Sequence, residues 1–258
     1  MSNLALLVSS CDKYHDLWYP FFTLFFRYWP DCPYPVYLVS NHLIYSDSRV
    51  NTIAVGDDRG WSASLKNALL HITQPYLILL LEDYLIEQRV DTEYIEALTV
   101  YMKKRKAGCL RLFACPGPNV PCADNPRVGE ISKGSDYRLS LQAAIWDKEV
   151  LLGLLRLEES PWELEVFGSK RTDMLDMPFL SVEINRQGVY PITYLCTAVV
   201  RGKWIPDAVR LCKKNGINID LRARPQKGFN DRFRDFIFQS KLSHIAVKGL
   251  KVIRGFVK

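Results

Sequence analysis

Tyr76-Leu-Ile-Leu-Leu-Leu-Glu-Asp-Tyr84 is an apolar run that ends abruptly on two carboxylates. Six residues with no polar alternation do not suit a strand with one wet face. They read as a strand buried on both faces, the kind that parallel sheets use. Such a strand delivers whatever follows it to the carboxyl edge of the sheet, where open α/β folds bind their ligands. Glu82 and Asp83 therefore stand where a divalent cation or the hydroxyls of a sugar nucleotide would be held. The same pair can also simply end a strand and cap the next turn.

The chain before this run has the matching pattern. Leu4 to Val8 reads as a first buried strand running into Ser9-Ser10-Cys11-Asp12. A helix follows, with Asp16 near its start. Its Trp18, Phe21, Phe22, Phe25, Phe26 and Trp29 fall on one face, a core stripe rather than a stacking surface. Pro35 to Ser40 and Asn51 to Val55 read as strands. Gly56 to Gly60 is a turn, and Ser62 or Ser64 is placed to cap a helix through His71. Strand, helix, strand, strand, helix, strand is the order of an α/β domain with a mainly parallel sheet flanked by helices.

Beyond the acid pair, the pattern predicts a helix over Asp91–Lys106 and strands over Cys109–Phe113 and Tyr137–Trp146. Further helices are expected at Asp147–Leu157, Trp162–Leu175 and Pro206–Asn215, the last stopped by Gly216, with a late strand at Tyr194–Val200. Residues 114–136, rich in Pro, Gly, Asn and Asp, are expected to form a mobile active-site segment.

Charge is unevenly placed. The net charge is +6, yet from Arg222 onward ten Lys/Arg face only two Asp, so the rest of the chain is slightly acidic. Within 241–258, Leu242, Ile245, Leu250, Ile253 and Phe256 share one helical side and the basic residues take the other. Such a helix lies on an anionic membrane surface or docks on the core with its basic face solvated. Seven scattered cysteines, without zinc spacing, point to free thiols in a reducing compartment. With no signal-peptide pattern and no spanning apolar run, a cytoplasmic protein is expected, peripheral at the membrane's inner face if the tail binds there. Basicity confined to the tail argues against a nucleic-acid partner.

Three acidic clusters fall in loops that a parallel sheet would expose: Asp12, Asp57 with Asp58, and Glu82 with Asp83. A fourth, Glu163 and Glu165, opens a helix. Two positions apart, these point about 200° from each other, so at most one faces a given cleft. HExxH, GxSxG, P-loop and GxGxxG motifs are all missing, which removes support for zinc proteases, serine hydrolases and common nucleotide folds.

Leu4 to Trp204 resembles the GT-A glycosyltransferases, in particular bacterial enzymes that build surface polysaccharides of the O-antigen or capsule type. Ser9-Ser10-Cys11-Asp12 resembles the segment that holds the nucleotide base. Gly56-Asp-Asp-Arg-Gly-Trp-Ser-Ala-Ser-Leu-Lys-Asn-Ala-Leu69 resembles the loop and helix before the metal-binding strand, and Leu81-Glu-Asp-Tyr84 takes the place of the Asp-x-Asp motif. Leu141-Gln-Ala-Ala-Ile-Trp146, followed by Trp162-Glu-Leu-Glu165, resembles the acceptor-side strand and the helix that carries a catalytic carboxylate. The resemblance implies a nucleotide-diphosphate sugar donor, a lipid-linked or other glycan acceptor, and an inverting reaction with a Glu general base. Glu163 is the first choice for that base and Glu165 the second. Donor-binding candidates are Ser9, Ser10, Asp12, Asp57, Asp58, Arg59, Lys66, Glu82 and Asp83.

Tyr84 departs from the motif, standing where the second acid is expected. Either Asp83 ligates Mn²⁺ or Mg²⁺, or cationic side chains neutralise the departing diphosphate, with Arg59, Lys66, Lys133, Arg201 and Lys203 available. On this reading residues 1–220 form one catalytic domain, with 1–110 the nucleotide-sugar half and 111–220 the acceptor half, and 221–258 a basic helical tail. A sugar-phosphate nucleotidyltransferase is the rival enzyme, although its Gly-rich phosphate loop is missing after the first strand. A membrane-surface binding module is the non-enzymatic alternative.

Overall fold

The computed structural model describes residues 3–183 and 190–228. The amphipathic segment 241–258 and its membrane partner lie outside the described residues.

In chain order the first half comprises β1 (Leu4–Ser9), a 3₁₀ helix (Asp12–Leu17), α1 (Trp18–Tyr28), β2 (Val36–Ser40), β3 (Val50–Ala54), α2 (Trp61–Leu70) and β4 (Tyr76–Leu81). The second half supplies α3 (Thr92–Lys104), β5 (Cys109–Arg111), β6 (Val120–Pro121), β7 (Val128–Glu130), β8 (Ala144–Asp147), α4 (Lys148–Leu154), α5 (Pro161–Glu163), a π-helical turn (Leu164–Gly168), α6 (Ser169–Thr172) and β9 (Phe179–Val182). A small hairpin of β10 (Val199–Val200) and β11 (Lys203–Trp204) precedes α7 (Pro206–Lys214).

Nine strands form one mixed sheet in the order β3-β2-β1-β4-β8-β5-β9-β7-β6. β3, β2, β1 and β4 are parallel. β8 runs against both β4 and β5, and β7 runs against β9 and β6. The chain steps outward from β1 to β2 and β3, then returns to lay β4 on the other side of β1. That reversal of strand order is where open sheets form a ligand crevice. Ser9 lies opposite Leu81, so the segments after β1 and β4 emerge side by side.

The expected burial on both faces holds. Leu6, Val8, Ile78 and Leu80 pack with Phe21, Phe22 and Phe25 of α1 and with Trp29 just after it, whereas Ala5, Leu7, Leu77 and Leu79 pack with residues of α2 and α4. The aromatic stripe is core, with Phe26 at its rim beneath the Arg49 guanidinium, 3.6 Å from the ring centre.

The second half departs from expectation in several places. Of the strand expected over Tyr137–Trp146, only its end forms. The N–H groups of Leu139, Leu141 and Ala143 donate instead to Ser169 Oγ (3.0 Å), Glu165 Oε1 (2.8 Å) and the Tyr194 hydroxyl (2.9 Å), so no neighbouring strand pairs with them. None of residues 114–136 lines the cleft described below; they contain the β6–β7 hairpin, joined to the sheet through β9. Two buried arginines fasten it, Arg111 donating to the carbonyls of Pro116 and Tyr137, and Arg138 to that of Ile131. The Tyr194–Val200 strand reduces to a bridge between Tyr194 and Ile86 and the two residues of β10. Neither Ser62 nor Ser64 caps α2. Its cap is Gly60 at φ 97°, whose N–H donates to Asp58 Oδ1 at 2.9 Å.

Candidate active site

A cleft of about 570 Å³ opens at the carboxyl ends of β1 and β4, within the size range of small-molecule sites. Its floor is Leu81-Glu-Asp-Tyr84 together with Ser10, Cys11 and Tyr14. Asp58, Trp61 and Ser64 line the side where α2 begins. Opposite them stand Leu141 and Gln142, with Pro161, Trp162 and Glu165 from the helical segment. Cys196 to Gly202 closes the third side and contributes Thr197, Val199 and Arg201.

The candidate residues divide. Ser10, Asp58, Glu82, Asp83 and Glu165 line the cleft. Ser9 is buried within β1 and does not reach it. Asp12 is a structural latch: its carboxylate accepts from the backbone N–H groups of Asn41, His42 and Leu43, tying the β1 exit to the β2 exit. Burial raises its pKa, but those three donors outweigh burial and hold it below the ordinary carboxylate value. Asp57 is exposed and pairs with His42 at 3.1 Å. Arg59 is exposed, Lys66 is half-buried, and neither lines the cleft.

Glu163, the first choice for the base, stands outside. Its Oε2 accepts from the Ser160 N–H (2.8 Å) and hydroxyl (2.7 Å), completing a capping box at the start of α5. Glu165 points the other way. Its Oε1 accepts from Leu141 N–H at 2.8 Å and Ser140 Oγ at 3.1 Å, which fixes the carboxylate in the wall. Oε2 accepts no hydrogen bond among the described residues.

At the floor, burial pushes the Glu82 carboxyl up to about 8, with the neighbouring Asp83 adding to the shift. Asp83 is also raised by burial, against the opposing pull of Thr197 and the N–H groups of Val199 and Ala198. Thr197 Oγ1 donates to Asp83 Oδ2 at 2.6 Å. Tyr84 is buried, its hydroxyl donating to Leu141 O at 3.2 Å and its ring stacked on Tyr194 at 4.7 Å.

A Mn²⁺ or Mg²⁺ ion at this site would draw few of its ligands from these groups. Hard cations take about six oxygen ligands and favour several ionised carboxylates. Here burial disfavours the charged form of Glu82, Asp83 is engaged by Thr197 and backbone N–H groups, and the Tyr84 hydroxyl faces Leu141, so a bound ion would take most of its ligands from a diphosphate and water. The described residues hold no group of three His, Cys, Asp or Glu placed for a metal.

Arg201 is the one cation of the five sequence candidates that lines the cleft. It sits at the tip of the β10–β11 hairpin, where Arg201 and Gly202 both have positive φ (52° and 73°), as a two-residue type I′ turn requires. Trp61 and Trp162 add aromatic faces suited to a base or sugar ring. Trp61, Gln142 and Trp162 fall inside stretches that carry the family resemblance without being singled out there, whereas Thr197 had no signal in local sequence pattern.

No helix among the described residues is long and apolar enough to cross a membrane. The sequence matches no protein-family model and no curated protein. Solved structures to which the chain is similar include S. aureus TarS 1–349, at 12% identity and a TM-score of 0.48, covering 76% of this chain and 60% of that one. A cytidylyltransferase from Leptospira borgpetersenii serovar Hardjo-bovis gives 10% identity and a TM-score of 0.46, covering 84% and 96% of the two chains. Bifunctional IspDF from Campylobacter jejuni gives 16% and 0.38, covering 64% and 47%. The chain thus spans about 60% of the TarS fragment. TarS 1–349 has been crystallised with UDP and with UDP-GlcNAc. Likeness at this level assigns neither a family nor a reaction.

Proposed function

We propose that this protein is a GT-A-like glycosyltransferase that moves a sugar from a nucleotide-diphosphate sugar to a hydroxyl of a glycan acceptor, with inversion at the anomeric carbon. The observation that carries this reading is the placement of Glu165: a carboxylate with one oxygen fixed by Leu141 and Ser140 and the other without a partner, in the wall of the switch-point cleft. A sugar hydroxyl is too weak an acid to attack unaided, so a positioned carboxylate must take its proton as its oxygen bonds to the anomeric carbon. The bond from that carbon to the diphosphate oxygen breaks through an oxocarbenium-like transition state, and the diphosphate leaves with the electron pair. Arg201, on the third side of the cleft, stabilises the charge that develops on the diphosphate.

The test is a screen of UDP-, GDP-, CMP- and dTDP-sugars for binding and turnover by the purified protein, followed by two variants. Glu165→Gln keeps the Leu141 and Ser140 contacts within reach of its amide oxygen but cannot take a proton, so turnover is expected to fall by about 100-fold or more with donor affinity retained. Glu163→Gln, altering a solvent-facing cap, is expected to stay within about threefold of wild type. Equal turnover by wild type and Glu165→Gln removes Glu165 as base, and a retained anomeric configuration in the product by NMR removes the inverting mechanism.

A further inference from the structure

Gln142 lines the cleft beside Glu165, and its amide is held in one orientation. The Tyr194 hydroxyl accepts from the Ala143 N–H at 2.9 Å and gives its single proton to Gln142 Oε1 at 2.7 Å. Tyr194 is itself fixed, being 2% exposed and stacked on Tyr84, whose hydroxyl bonds the carbonyl of Leu141 next door. With Oε1 committed to Tyr194, the side chain presents only its Nε2 N–H groups, which have no partner among the described residues. Along the same wall, Leu141 N–H fixes Glu165 Oε1 and leaves Oε2 as an acceptor. The cleft therefore displays a donor and an acceptor from neighbouring parts of its lining.

We infer that Gln142 is a specificity-determining residue whose Nε2 donates to a sugar hydroxyl, the same hydroxyl giving its proton towards Glu165 Oε2. A hydroxyl can both donate and accept, so it satisfies the two groups together. A ligand lacking it leaves a half-buried amide without a partner, which is how polar sites reject analogues. This inference rests on the transferase reading and adds to it the recognition of the acceptor hydroxyl whose proton Glu165 takes.

Gln142→Glu keeps the side-chain shape and still accepts from Tyr194, but turns the cleft-facing donors into an acceptor. Gln142→Leu removes both. The probes are UDP-glucose, UDP-N-acetylglucosamine, GDP-mannose and dTDP-rhamnose, with the matching free diphosphates and simple methyl glycosides as acceptors. In both variants the free diphosphate is expected to bind within about twofold of wild type. A loss of at least about tenfold in affinity for the sugar nucleotide puts the hydroxyl on the donor and overturns the inference, because Glu165 Oε2 must face the acceptor. The expected result is a loss of at least about tenfold in transfer to the methyl glycoside with donor affinity retained. Unchanged binding and transfer in Gln142→Glu, at an unchanged Tm, overturns the inference and leaves the transferase reading standing. Parallel loss of free diphosphate binding overturns it too, because it shows a structural role. If the wild-type protein binds none of these nucleotides, the transferase reading falls and takes this inference with it.

Discussion

Glu82 and Asp12 respond to pH in opposite senses. The Glu82 pKa is raised from 4.5 to about 8 on folding, chiefly by burial. Between those values the folded protein binds more protons than the unfolded chain, so stability falls as pH rises from about 4.5 to 8. Asp83, also raised, adds to the same slope. Asp12, held below its ordinary value by three backbone donors, contributes stability that is present above that value and lost on acidification. Stability is therefore expected to peak in mild acid and decline on both sides. Glu82→Gln, which cannot ionise, should flatten the alkaline limb in Tm measurements from pH 5 to 9. An unchanged limb in that variant assigns the decline to other groups.

Arg138 shows why elements of the second half were hard to read. It is 1% exposed and lies over the Phe179 ring at 4.5 Å, donating to the carbonyls of Ile131, Thr172 and Met177. Arginine is ordinarily a surface residue, so sequence pattern does not mark it as the pin of a loop. Arg138→Met fills the space but leaves those carbonyls without their donor. It is expected to cost about 3 kcal/mol, read from urea denaturation with an unchanged m value. The first half was legible because its strands pair with other strands and bury both faces, so that an unbroken apolar run such as Leu77–Leu80 marks the strand even though its partners are distant in the chain. Segment 139–143 is satisfied instead by Ser169, Glu165 and Tyr194, 30, 24 and 51 residues away along the chain, and local alternation there suggests a strand that does not form. The same split runs through the site. Glu82 and Asp83 were readable from a strand end, and Ser160-Pro-Trp-Glu163 has the local spacing of a capping box that claims Glu163, whereas the contact of Glu165 with Leu141 and Ser140 depends on segments distant in the chain.

Across the whole molecule, Arg224 joins the two ends of the described chain at the cleft. The segment bearing it runs beside β11, with Trp204 N–H donating to Pro225 O and Lys227 N–H to Trp204 O. Its guanidinium grips Asp16 through Nε (2.7 Å) and Nη2 (2.8 Å), lies 5.0 Å from the Tyr14 ring centre, and donates to the carbonyls of Lys13 and Gly202. Tyr14 and Gly202 both line the cleft, so one cation fastens the β1 exit to the hairpin that carries Arg201. It also acts on the floor, because its charge opposes the rise in the Glu82 pKa. Arg224→Met keeps much of the packing but leaves Asp16 without its bidentate partner, and Tm is expected to drop by about 3–6 °C. Loss of packing alone would produce a similar drop, so the deciding measurement is the pH profile. With the cation gone, Glu82 holds its proton more tightly, and the pH at which stability stops falling should move above about 8. The double variant Arg224→Met with Glu82→Gln should lose that shift, since no titrating carboxyl remains for Arg224 to act upon. A shift that persists in the double variant, or none in the single one, separates Arg224 from the acid pair and leaves it a clamp alone.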